Sequence, residues 1–199
     1  MTNLLLDTLP TKVEVNAAEV EIETDFRIGI KFEIAIERGD INIPQLIKMF
    51  FPHKTPEDIT AATNAIIWFY RCGEEKKETN KPTKETKRGY SFECDAAVIY
   101  ADFLRYYDID LTTVNMHWWK FRELLAGLPI DSAFKKRIYY RTCDLKGLSK
   151  AEQKRIRAIR KEIEIDKIDK GAKITLAERN SNMLLYVQKR TTEAKSEVK

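Results

Sequence analysis

Two kinds of apolar spacing follow each other along the chain. Near the N-terminus the period is two. Val13 and Val15 alternate with polar residues, and Val20 and Ile22 do so again beyond Asn16-Ala17-Ala18-Glu19. Such alternation buries one face of a strand and wets the other, so this stretch predicts a short β-hairpin. A lone pair of strands is marginal in water, so the hairpin should lie on helices. From Thr24 the spacing turns helical. Thr24 is a candidate N-cap, Asp25 suits a first turn, and Gly39 suits a C-terminal end. Phe26, Ile30, Phe32, Ile34 and Ala35 point to a helix between them, while the alternating Ile28, Ile30, Ile34 and Ile36 keep a strand as the alternative. A short helix from Pro44 to Phe50 is expected before Pro52. The next is expected to be capped by Thr55, with Pro56 in its first turn and Ile59, Ala62, Ile66, Ile67 and Tyr70 on its apolar side.

Gly73 to Gly89 contains no large apolar residue before its last glycine and reads as a mobile charged loop. Beyond it the pattern is helical again. Asp95 opens a helix with Ala97, Tyr100, Leu104 and Tyr107 on one face. Thr112 is read as the cap of another, in which Val114, Trp118, Phe121, Leu125 and Leu128 form a continuous stripe ended by Gly127 and Pro129. Trp119 lies about 100° round from Trp118, so either the helix is buried on a wide arc or Trp119 serves an interface. Asp131 or Ser132 starts a helix running through Arg141. Ser149 and Glu152 have capping-box spacing ahead of Ile156, Ile159 and Ile163, which are set among Lys154, Arg155, Arg157, Arg160 and Lys161. Met183 to Val187 predicts a terminal helix. The reading is a mainly α, multi-helix domain with a short N-terminal β-hairpin. It divides into residues 1–72, the loop 73–89, a helical core region 90–170 and a weakly structured tail 171–199, within one compact domain.

Composition narrows the classes. Of 199 residues, 43% are hydrophobic and 33% charged, with 7 glycines and 6 prolines, which excludes a collagen or a wholly disordered chain. The apolar runs fall far short of the roughly 20 residues a membrane span needs. Cys72, Cys94 and Cys143 have no metal-finger or redox spacing and read as reduced intracellular thiols. The opening residues lack the pattern of a signal peptide. No glycine-rich phosphate loop, Gly-x-Ser-x-Gly or His-Glu-x-x-His arrangement is present, and the histidines are His53 and His117 alone. The expectation is a protein that is not an enzyme, with no catalytic residues, metal or cofactor.

The net charge of +4 is uneven. Residues 146–199 hold 15 basic and 8 acidic side chains, a surplus of +7 that leaves −3 for the rest. Such a basic segment suits nucleic acid or an acidic protein surface, though a solvated helix face is the simpler reading. Aromatic residues concentrate between Tyr90 and Phe121. Core packing is the first explanation and an interface centre the second. Glu93, Asp95, Asp102, Asp108 and Asp110 oppose a nucleic-acid stacking platform there by repelling phosphate.

Several motifs stand in a particular order. Tyr90-x-Phe92 leads to Asp95, then to Ile99-Tyr100-Ala101-x-Phe103 and Tyr107-Asp108-Ile109-Asp110-Leu111. His117-Trp118-Trp119-Lys120-Phe121, Leu125-x-Gly127-Leu128-Pro129 and Ile138-x-Tyr140-Arg141 follow, with Trp68-Phe69-Tyr70-x-Cys72-Gly73 upstream. In order and spacing these resemble the tailed-phage family named after gene product fifteen, over roughly residues 4 to 165. The resemblance implies a tail assembly chaperone of siphophages infecting Gram-positive bacteria. It would work in the host cytoplasm, bind the tape-measure protein during tail-tube assembly, and be absent from the finished virion. The major tail protein is a second candidate partner, and a homo-oligomer is expected. Trp119 is the leading candidate contact, with His117 and the Ile156, Ile159, Ile163 helix bearing Arg157 and Arg160. Trp118, Phe121, Leu125, Tyr100 and Tyr107 form the expected core motif. The alternatives are a nucleic-acid-binding protein using the basic C-terminal helix, which acidic residues interrupt, and a structural tail or head-completion subunit.

Overall fold

The computed structural model describes residues 3–39, 41–74 and 88–165. Most of the predicted charged loop, the tail 171–199 and the predicted Met183–Val187 helix lie outside the described residues. The elements are β1 (Lys12–Val15), β2 (Ala18–Glu21), α1 (Phe26–Arg38), α2 (Ile43–Phe50), α3 (Ile59–Tyr70), α4 (Ala96–Tyr107), α5 (Trp118–Gly127), α6 (Ala133–Thr142) and α7 (Lys150–Glu162). The fold is mainly α with a short N-terminal hairpin.

In the hairpin, Val13 pairs with Val20 and Val15 with Ala18, antiparallel. That register leaves a two-residue turn, tighter than the four residues expected. Asn16 and Ala17 both have positive φ, 50° and 61°, as a type I′ turn demands. Val13, Val15 and Ile22 are buried, and β1 packs on α3.

The segment after the hairpin is a helix, because a helical period gathers Phe26, Gly29, Phe32 and Glu33 on one buried face. Its N-cap is Asp25, not Thr24: the Asp25 carboxylate accepts from the Arg27 N–H at 2.9 Å. The backbone at Thr24 is committed elsewhere. Its carbonyl accepts from the Trp118 N–H at 2.7 Å, and the Phe26 N–H donates to the Met116 carbonyl at 2.9 Å. Gly39 closes α1 in the left-handed region at φ 67°.

Two other caps differ from expectation because a neighbouring aspartate holds the local backbone N–H groups. Asp58, not Thr55, caps α3, with one carboxylate oxygen accepting from the Thr60 and Ala61 N–H groups at 2.9 and 3.0 Å. Thr112 does not open α5, since its N–H and hydroxyl both turn back onto Asp110, at 2.8 and 2.6 Å. The stripe through Trp118, Phe121 and Leu125 is buried as read, but the helix under it starts only at Trp118. In α4 the buried side is Ile99, Asp102 and Phe103, whereas Ala97 and Leu104 are exposed and Tyr100 and Tyr107 half-buried. A buried carboxylate tips the helix that way. Asp102 accepts from the Phe134 N–H at 2.7 Å, at the positive end of α6. Ser132 is the α6 cap, and Ser149 and Glu152 form a reciprocal capping box on α7.

The described residues fall into two compact units. The first holds residues 3–39, 41–74 and 115–123, the second 88–114 and 124–165, so the division passes through α5. The first has its core in Phe26, Phe32, Phe50, Ile66, Phe69, Trp118 and Phe121. The second has its core in Phe92, Ile99, Phe103, Leu125, Leu128 and Phe134.

Candidate partner-binding surface

The adjacent tryptophans do one job together. A helix leaves its last carbonyls without intrahelical donors, and α3 ends at Tyr70. The Trp118 Nε1–H donates to the Tyr70 carbonyl at 2.9 Å, and the Trp119 Nε1–H donates to the Phe69 carbonyl at 2.7 Å. Consecutive indoles thus satisfy consecutive carbonyls. Trp118 stacks on Tyr70 with ring centroids 5.5 Å apart and lies directly on Gly29. Of the two explanations for Trp119, the wide buried arc is the one observed. Trp119 is 1% exposed, so the expectation that it presents a contact surface gives way to a core role.

His117 is half-buried and works on the same element. Its Nδ1 accepts from the Trp119 N–H at 3.1 Å, capping α5, and its Nε2 lies 3.0 Å from the Pro10 carbonyl. Serving as acceptor at Nδ1 and donor at Nε2 requires the neutral ring. Burial pushes its pKa below the usual histidine value, and the hydrogen bond to Pro10 opposes that only in part. This is a structural histidine holding the N-terminal segment to α5.

The exposed indole is Trp68, on α3. It is 38% exposed and meets Trp119 edge-on with centroids 5.6 Å apart. Leu5 and Leu6 in the same unit are also strongly exposed. Spacing alone assigns Trp68 no contact role. The available signal was its offset from Ile66, Ile67 and Tyr70, which places it off the apolar side of α3.

In the second unit the polar side chains are structural. Asp95 is fully buried. Arg141 clamps both its oxygens, at 2.5 and 2.9 Å, and Arg137 adds a contact at 2.8 Å. Burial pushes the Asp95 carboxyl up, but its hydrogen bonds, those from Arg141 foremost, more than offset this and hold it below the usual value. Tyr107 donates to the Leu124 carbonyl at 2.8 Å.

The expected docking stripe of α7 turns inward. Ile156 is buried, Ile159 and Ile163 are half-buried, and α7 packs on α6. Arg160 donates to the Tyr140 and Cys143 carbonyls at 2.6 and 2.5 Å, serving the carbonyl end of α6. These four residues are therefore used within the unit. Arg157 stays exposed, its guanidinium 3.2 Å from the Gln153 side-chain oxygen.

Among the described residues, no group of three or more His, Cys, Asp or Glu could hold a metal ion. No helix among them is long and apolar enough to cross a membrane. Burial, ahead of the opposing Arg122 charge, pushes the Cys72 thiol up to about 11, away from thiolate chemistry.

The chain is a bacteriophage protein of the structural or assembly class. It belongs to the Bacteriophage Gp15 protein family, which it matches over residues 5–165. That span takes in every helix from α1 to α7, the paired tryptophans and Trp68. No curated protein and no solved structure matches the chain.

Proposed function

We propose that this protein is a non-enzymatic tail assembly chaperone that binds the tape-measure protein in multiple copies in the host cytoplasm, without nucleotide or metal, and leaves before the virion is complete. The observation that carries the reading is membership of the Gp15 family across residues 5–165. The surface is compatible with it. Trp68 is an exposed indole backed by buried Trp119, the kind of anchored aromatic found at interface centres. On α4, Ala97, Ala101 and Leu104 are exposed at helical spacing, which suits helix-against-helix recognition. Many weak contacts would hold a long partner by multivalency and still release it as tail subunits arrive.

The test is co-expression with the tape-measure protein. The chaperone should raise its soluble fraction, and Trp68→Ala should lower that gain while leaving the chaperone's circular dichroism unchanged. A tape measure that stays insoluble beside well-folded chaperone contradicts the reading. Nucleic-acid binding is the second reading, favoured by the exposed Lys150, Lys154, Arg157 and Lys161 of α7. It predicts tight DNA or RNA binding with a steep fall in affinity as salt rises.

A further inference from the structure

The described residues of the two units differ in the sign of their charge. The described residues of the first hold nine basic and twelve acidic side chains, those of the second thirteen basic and ten acidic, giving −3 and +3. On α7 the positive charge is ordered. Lys150, Lys154, Arg157 and Lys161 follow at intervals of four, three and four, one outward stripe opposite buried Ile156. Among the described residues, none of the three lysines forms an ion pair. In the hairpin, the register that turns Val13 and Val15 inward turns Lys12, Glu14, Glu19 and Glu21 outward. Glu14 and Glu19 stand directly opposite each other, an arrangement that costs the hairpin stability. Lys12 reaches Glu19 at 3.6 Å and leaves the face net negative.

We infer that the cationic stripe of α7 in one copy docks on the acidic outer face of the β1–β2 hairpin in the next. The dimensions agree: the stripe runs about 16 Å along the helix, and four paired residues of a strand span about 13 Å. A cation set between Glu14 and Glu19 would relieve their repulsion. Because two different surfaces of the chain meet, the contact is head-to-tail, and a pair joined by it keeps one surface of each kind free for further copies. Each exposed ion pair is weak and screened by salt, so assembly is reversible. The inference concerns the chain alone and stands or falls apart from the tape-measure reading.

Sedimentation velocity on the purified full-length protein tests it. At low salt the wild type should grow with concentration beyond a dimer. It should return to monomer in 1 M salt, where the screening length is about 3 Å. Lys154→Glu/Arg157→Glu and Glu14→Lys/Glu19→Lys should each weaken self-association by at least about ten-fold. Mixed one to one, the neutral counterparts Lys154→Gln/Arg157→Gln and Glu14→Gln/Glu19→Gln should form a dimer that grows no further, since only one intact surface of each kind remains. Lys150→Glu/Lys161→Glu, at the two ends of the stripe, repeats the α7 arm independently, and circular dichroism checks the fold of every variant. A wild type that stays monomeric at low salt overturns the inference. So does undiminished association in a folded double variant of either surface, or a mixture that forms no dimer.

Discussion

Gly29 shows how a single residue is set by its neighbour. Alanine is ordinarily the better helix residue by about 0.5–1 kcal/mol. In α1, however, a Cβ at position 29 would lie 2.3 Å from the Trp118 ring, and that ring is pinned by its bond to Tyr70. Gly29→Ala should therefore lose about 1–3 kcal/mol, the range for overpacking a filled core, and lower the melting temperature. Trp118→Ala should lose about 3–5 kcal/mol. His117 adds a pH dependence. Its folded pKa is depressed, so its full contribution is present above the unfolded value of about 6.5. As pH falls below that, the unfolded chain takes up the proton first and stability drops, until the folded pKa is passed. The melting temperature should fall between about pH 7.5 and pH 5.5, and fall less in His117→Asn. At this scale the sequence was partly misleading. Spacing placed Trp118, Phe121 and Leu125 in the core, but it could not show that the end of α3 offers carbonyls to two indoles, and so it left Trp119 open between a wide buried arc and an interface.

Among elements, the hairpin carries visible strain. Ala17 sits at φ 61°, a conformation that costs an L-residue roughly 1–2 kcal/mol and glycine far less. After the entropy glycine loses on folding, Ala17→Gly should still gain about 0.5 kcal/mol. A rise in unfolding midpoint at unchanged slope would show it, and a fall would mean that Ala17 makes a contact worth more than its backbone strain. The second unit turns on the Asp95–Arg141 clamp. Asp95→Asn leaves a buried guanidinium short of its charge partner and should cost about 3–5 kcal/mol in thermal or denaturant unfolding. Because the folded pKa of Asp95 is depressed, its contribution is held above about pH 4 and fades as pH falls towards the folded value. Helix ends marked by their own local chemistry were legible in the sequence: Gly39, the Asp131–Ser132 pair and the Ser149–Glu152 box. Those at Asp25, Asp58 and His117 were not. There a threonine stood upstream as a plausible cap, but tertiary bonds committed Thr24 elsewhere, and Asp58 and Asp110 held the backbone around the other two by local bonds.

For the whole molecule, the sequence made the fold class plain because long 3.6-period stripes leave little choice of element. It was a poorer guide to surfaces. Ile156, Ile159 and Ile163 look like a docking stripe when α7 is read alone, and only packing on α6 shows that this side is covered and the lysine side open. Exposure is a property of the assembled chain, which is why Trp68 and Lys154 emerged from the structure. The central claim is that a long phage partner is held by many copies of this chain. The most direct measurement is the mass of the complex co-purified from cells making this protein and the tape measure together. The account predicts several copies on each tape measure, with fewer retained by Trp68→Ala. One copy per tape measure, or no complex with the wild type, would contradict it.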